Sequence, residues 1–210
     1  MNVRVLITAG ATREPLDPVR FISNASTGKQ GAALAREAVR RGWSVNLVHG
    51  PLEVKIPMGV VSHPVGTASE MLETCRRLHP TCDVVIGAAA VSDYRPEEVL
   101  AGKRRRESRP WLVRLVPTED ILADLGKRKE GKVHVGFALE TEMVPDNLLR
   151  KLREKNLDFL VANPPTAIGA PSSEYLLALP DGSIRSLGTL TKELLARTLC
   201  DEVEGLLRGR

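Results

Sequence analysis

Residues 3–31 read VRVLITAGATREPLDPVRFISNASTGKQG, and this stretch decides the fold. Residues 3–8 have the length and branched apolar content of a buried strand. The run ends at Ala9-Gly10-Ala11-Thr12, and a polar loop continues to about Thr27. A helix is expected from about Gly28 to Arg41, with Leu34 and Ala38 on one face. Gly42 is then the glycine that commonly follows a helix C-terminus. A strand that enters a helix through small and polar residues is the opening unit of an α/β sheet.

The same alternation continues outward. Residues 45–48 read as a second strand and residues 59–62 as a third. Thr67 and Glu70 form a capping box, after which Met71, Leu72, Cys75 and Leu78 share one helical face. Residues 83–86 are a fourth strand, running into Gly87-Ala88-Ala89-Ala90. Residues 95–110 read as a basic loop, residues 111–116 as a strand, and Thr118 as the cap of a helix over about 119–128. Residues 133–137 are a strand, 145–155 a helix and 158–162 a strand. Residues 175–179 and 183–187 flank Pro180-Asp181-Gly182, a hairpin signal. A closing helix spans about 191–207. The pattern predicts one α/β domain over residues 1–210, its mainly parallel sheet flanked by helices, with a late antiparallel hairpin at or near an edge.

Composition bounds the function. The chain has 210 residues, 30 Lys+Arg against 26 Asp+Glu, and 3% aromatic residues. That length gives a substantial core, with roughly 70% of the unfolded surface buried. No apolar run approaches the ~20 residues of a membrane span, so no membrane partner is expected. Cys75, Cys82 and Cys200 are odd in number and lack metal-ligand spacing, which points to a reducing cytoplasm and no disulfide framework. A net charge of +4 favours anions weakly, and so few aromatics leave little for nucleic-acid stacking.

Three segments carry candidate chemistry. In residues 8–31, Gly10, Gly28 and Gly31 permit close backbone approach, and the helix start attracts phosphate. Neither standard phosphate motif is present: a Walker loop needs Gly at Ser23 and Ser or Thr at Gln30, and the G-x-G-x-x-G spacing fails. An ordinary capped turn explains these glycines equally well. The second segment, Gly87-Ala88-Ala89-Ala90-Val91-Ser92-Asp93, lets a ligand lie against backbone, with Asp93 as an acceptor or metal ligand; a close-packed strand end is the plainer reading. The third, Lys103-Arg104-Arg105-Arg106, is either solvated charge or a phosphate clamp. Lys151 and Lys155 share a helix face, and Phe137 by position alone belongs to the core. No nucleophile–base arrangement appears.

Together these segments resemble the phosphopantothenoylcysteine synthetase family of coenzyme A biosynthesis, the C-terminal half of a bifunctional bacterial protein. The resemblance covers nearly the whole chain. It is carried by LITAGATREPLDPVRFISNASTGKQG at residues 6–31, AAAVSDYRP at 88–96, VGFALET at 135–141 and KLREKNLDFLVAN at 151–163. It implies a modified Rossmann-like fold, a homodimer, and an amide ligation. In that reaction CTP activates 4'-phosphopantothenate as an acyl-cytidylate, and L-cysteine then displaces CMP. ATP is the alternative nucleotide. Mg²⁺ is expected with the nucleotide, its ligands unassigned. FMN is not expected, because the flavin-binding decarboxylase half is missing.

The resemblance also assigns roles. Asn24 and Lys103 are implied as catalytic, Asn24 in the amide-forming step and Lys103 in nucleotidyl transfer. Arg20, Asn24, Ala89, Ala90 and Asp93 are implied to bind phosphopantothenate. Gly10, Ser26, Gly28, Gly31, Gly87, Ala88, Ala89, Asp93, Lys103, Phe137, Lys151 and Lys155 are implied to bind the nucleotide. Glu119, Asp120, Ile121 and Leu122 align with a nucleotide-contacting segment that commonly reads Pro-Asp-Ile, so Glu119 departs from the pattern. Whether Arg20 and Lys103 serve their own subunit or its partner stays open. An NAD(P)-dependent reductase on the same fold class lacks its glycine fingerprint and Tyr-x-x-x-Lys pair. A basic nucleic-acid-binding module lacks aromatics.

Overall fold

The computed structural model describes residues 2–209. An eight-stranded sheet organises it. Six strands are parallel: β1 (Arg4–Ala9), β4 (Ser44–His49), β5 (Val60–Pro64), β6 (Val84–Gly87), β9 (Val133–Leu139) and β10 (Phe159–Asn163). The hairpin β11 (Ser172–Ala178) and β12 (Ile184–Thr191) adds two antiparallel strands. The order across the sheet is β12-β11-β10-β9-β6-β1-β4-β5. From β1 the chain builds outward through β4 and β5, then returns to place β6 on the other side of β1. The β1/β6 boundary is therefore the topological switch point, where open α/β sheets hold ligands.

Period-two alternation sorts the strand side chains to two faces. Val5, Ile7 and Ala9 of β1, with Val84 and Ile86 of β6, join the cluster formed by α1 (Lys29–Arg40) and α5 (Lys192–Arg208). Leu6 and Val85 point the other way, onto α2 (Ala68–Leu78) and α3 (Ile121–Gly126). On that same side α4 (Pro145–Glu154) seats Leu148 and Leu152 against Leu160 of β10. The capping box forms as expected: Thr67 Oγ1 accepts from Glu70 N at 3.2 Å, and Glu70 Oε2 accepts from Thr67 N. Gly42 takes φ 77°, a left-handed conformation that favours glycine.

Four local expectations need correction. The polar loop before α1 contains a ribbon, β2 (Arg13–Pro15) with β3 (Phe21–Ser23). It was hidden because three-residue strands show no periodicity. The basic loop begins one residue inside a second ribbon, β7 (Tyr94–Pro96) with β8 (Leu115–Pro117), and residues 111–114 are not strand. Thr118 does not cap α3. Its hydroxyl donates to the Ser92 carbonyl at 2.5 Å, while Asp120 caps by accepting from Ala123 N. The helix is accordingly shorter than residues 119–128.

All three cysteines are buried and free. Among the described residues, no helix is long and apolar enough to cross a membrane.

Candidate active site

A cleft of about 550 Å³ opens at the carboxyl ends of β6, β9 and β10, within the range of small-molecule sites. Five segments bring in the residues given roles in the sequence. The segment before α1 supplies Asn24, Ser26 and Gly28. The turn after β6 supplies Gly87 to Val91 and Asp93. The start of α3 supplies Glu119 to Leu122, β9 supplies Phe137, and the end of α4 supplies Lys151 and Lys155. Fifteen residues assigned roles in the sequence thus line one cleft, although 131 positions separate Asn24 from Lys155.

The switch point is stitched by backbone. Ala90 N donates to Gly10 O at 2.8 Å, and Thr12 N to Ala90 O at 3.3 Å. Thr12 Oγ1 accepts from Ser92 N at 2.9 Å, so the turns after β1 and β6 are held together. Asn24 extends this stitching: its Nδ2 donates to the carbonyls of Ala90 and Val91, both at 3.1 Å. Both N–H donors are used, which fixes the amide orientation and leaves Oδ1 as the group offered to a ligand.

Gly28 is the N-cap of α1 with φ 74° and brings no side chain of its own, while Ser26 Oγ accepts from Gly28 N at 3.3 Å and Thr27 Oγ1 from Lys29 N at 3.5 Å. A Cβ at Gly28 would collide with the Leu52 side chain. A helix start with a glycine N-cap, set on a cleft wall, presents a partial positive charge to an anion. Across the cleft, Lys151 Nζ lies 2.5 Å from Glu140 Oε1, and Lys155 Nζ 2.8 Å from Asp120 Oδ2. Asp120 thus caps α3 and positions a lysine at once. Asp93 and Glu119 are wall carboxylates without a salt bridge among the described residues. No cluster of three or more His, Cys, Asp or Glu suited to a metal occurs among those residues.

Four assigned residues do not line this cleft. Gly31 is buried against β1, where a Cβ would collide with Ala9 Cβ, so its role is close helix–strand packing. Gly10, with φ 75°, lies beneath the wall, and a Cβ there would come within 2.7 Å of Pro51 O. Arg20 is committed elsewhere: its Nη2 donates to Asp17 at 2.5 Å and to Arg104 O at 2.8 Å, and its guanidinium sits 5.0 Å from the Trp111 ring. Burial alone would push the Asp17 carboxyl up. Arg20 and the amides of Val19, Arg20 and Arg104 outweigh it and hold the group well below the usual carboxylate range. Lys103 is exposed on the same basic loop. The Arg20 and Arg104 contacts with Asp17 dock this loop on the turn of the β2–β3 ribbon, and Lys103 is not among the residues that line the cleft.

The sequence reading missed Lys29, Asn163, Tyr175 and Lys192, all on the cleft wall. Lys29 and Asn163 fall inside stretches quoted for the resemblance but were given no role, whereas Tyr175 and Lys192 reach the cleft only because the fold brings β11 and α5 to this end of the sheet.

A family model described as "DNA/pantothenate metabolism flavoprotein C-terminal domain" matches residues 1–206. The chain is 38% identical over 207 residues to the coenzyme A biosynthesis bifunctional protein CoaBC of Bacillus subtilis (strain 168), covering 96% of this chain and 51% of that protein. It is 45% identical over 162 residues to a cysteine/cysteine sulfinic acid decarboxylase of an unknown prokaryotic organism, covering 76% of this chain and 45% of that protein. The chain thus spans about half the length of the curated relatives it matches. Among solved structures, the C-terminal domain of a CoaBC protein superposes with a TM-score of 0.87 at 39% identity, covering 100% of this chain and 98% of that one.

Proposed function

The chain belongs to the DNA/pantothenate metabolism flavoprotein C-terminal domain family, and on that premise we propose that it is a phosphopantothenate–cysteine ligase using CTP. The observation that carries this reading is the convergence, at one switch-point cleft, of a helix start with a glycine N-cap, a small-residue wall, Asn24 and two placed lysines.

A carboxylate is a poor electrophile toward an amine, so a nucleotide must first supply a leaving group. A carboxylate oxygen of 4'-phosphopantothenate attacks the α-phosphorus and pyrophosphate leaves. The cysteine amine then attacks the acyl carbon, and CMP departs with the carboxylate oxygen it acquired. Lys151 and Lys155 neutralise the nucleotide, Phe137 packs beside it, and the start of α1 accepts its phosphates. The wall from Gly87 to Ala90 lets the reacting acyl group lie against backbone. The Oδ1 of Asn24 accepts a hydrogen bond from the incoming amine, orienting it for attack. This chemistry involves no net oxidation or reduction, so it requires no FMN.

Mg²⁺ would arrive on the phosphates, where it screens charge. Asp93 and Glu119 offer the oxygen donors it takes, one or two carboxylates being usual beside phosphate ligands.

Arg20 and Lys103 act in this reading across a homodimer interface. Support comes from Val19, Phe21, Tyr94, Val99, Leu112 and Leu115, all exposed apolar residues on or beside the two ribbons that carry the basic loop. A surface with that many exposed apolar groups marks an association site.

The test is to incubate the protein with phosphopantothenate, cysteine, Mg²⁺ and either CTP or ATP. Formation of CMP and pyrophosphate, with amide product, is expected. AMP formation with ATP alone would replace the nucleotide and keep the ligase, and no nucleoside monophosphate in either case would overturn it.

A further inference from the structure

Lys192 is the first residue of α5, it is 9% exposed, and it lines the cleft. Its Nζ donates to the Ala167 carbonyl at 3.2 Å. Among the described residues this is its one side-chain hydrogen bond, and no carboxylate lies within salt-bridge distance. An ammonium carries three donors, so two have no protein acceptor. Burial, and then the charge of Lys29, lower its pKa below the usual lysine value. The position is doubly unfavourable: a buried charge without a counter-ion costs stability, and a cation at a helix N-terminus opposes the helix dipole. Gln30, in the first turn of α1, reaches Lys192 O with its Nε2 at 3.4 Å, and its Oε1 is buried without a partner. The starts of α1 and α5 thus meet in one corner of the cleft, where positive charge and polar groups are left incomplete by the protein alone.

We propose that Lys192 is an oligophosphate-binding residue, contacting the terminal phosphates of the nucleotide opposite Lys151 and Lys155. The pair on α4 would then hold one side of the nucleotide while Lys192 and the start of α1 hold its leaving pyrophosphate. Charge neutralisation at that point favours departure of the leaving group. The identity of the nucleotide rests on the ligase reading, whereas an anion site at Lys192 does not.

The test separates the two. Inorganic tripolyphosphate is titrated calorimetrically into wild-type protein, K192M and K192R, with ligand-free melting temperatures and steady-state ligation measured in parallel. K192M should bind tripolyphosphate at least tenfold more weakly and raise KM for the nucleotide more than it lowers kcat. K192R should recover part of the binding. K192M should also melt at or above the wild type without ligand, because it removes an uncompensated buried charge. A purely structural lysine would give the opposite melting shift. Unchanged tripolyphosphate binding in K192M, or no binding by the wild type, would overturn the proposal. Lys192-dependent binding in a protein that forms no amide would support the site and remove the ligase reading.

Discussion

In the proposed mechanism, replacing Asn24 by Asp isolates the group that orients the second half-reaction. The substitution is isosteric and keeps one acceptor oxygen, but places the other where Nδ2 now donates to Ala90 O and Val91 O, both at 3.1 Å. Two hydrogen bonds become two contacts between a carboxylate oxygen and carbonyl oxygens. At about 1 kcal/mol net for each bond, the present orientation loses about 2 kcal/mol, or roughly a 30-fold drop in its population. The proposed nucleotidyl transfer does not draw on this orientation, because the lysines assigned to it, Lys151 and Lys155, lie on another element. In single-turnover experiments, pyrophosphate release should stay within about threefold of wild type, while amide formation from accumulated acyl-nucleotide should slow by about 30-fold or more. The fold should survive, since Asn24 is exposed. Amide formation at the wild-type rate, or an equal slowing of both steps, would refute the reasoning.

Three further outcomes follow from the geometry. Lys155→Gln leaves Asp120 unpaired on the cleft wall; KM for the nucleotide should rise about tenfold, with stability changed by under ~1 kcal/mol because the pair is surface-exposed. Gly31→Ala presses a methyl group onto Ala9; calorimetric unfolding should show a loss of about 1–3 kcal/mol, and the folded fraction should bind nucleotide as the wild type does. His134 is fully buried beside His79, and burial first, then the neighbouring His79, holds its pKa down at about 3. The unfolded chain takes up a proton below about pH 6.5 that the native state refuses, so this histidine's stabilising contribution is intact above that pH and lost as pH falls toward 3. Urea titrations should register a decline of about 2 kcal/mol between pH 7 and pH 5 from this group, and His134→Gln should flatten that slope.

The long elements were legible because each satisfies pattern, cap and breaker together. Residues 3–8 end in small residues, Thr67 and Glu70 form both halves of their capping box, and Pro180-Asp181-Gly182 turns between two strands. The ribbons β2–β3 and β7–β8 were not legible, since three-residue strands depend on partners distant in sequence. Thr118 shows how a local rule loses to tertiary structure: its hydroxyl goes to Ser92, and Asp120 two residues later takes the capping role. At the site, the wall from Gly87 to Ala90 and the lysines of α4 were visible as motifs. Gly31 packs against Ala9 and does not line the cleft, a placement the sequence could not show because a glycine needed for packing looks the same as one needed for a phosphate. Lys192 was invisible because its neighbours in the cleft are 25 residues away at Ala167 and 162 away at Gln30.

The most direct measurement of the proposed mechanism follows one oxygen atom. Phosphopantothenate labelled with ¹⁸O in its carboxylate is converted with cysteine, Mg²⁺ and CTP, and the products are analysed by ³¹P NMR and mass spectrometry. Attack of the carboxylate on the α-phosphorus predicts one ¹⁸O in the phosphate of CMP and none in pyrophosphate. Label in inorganic phosphate, with CDP as the nucleotide product, would contradict the acyl-nucleotide route and require activation as an acyl phosphate instead.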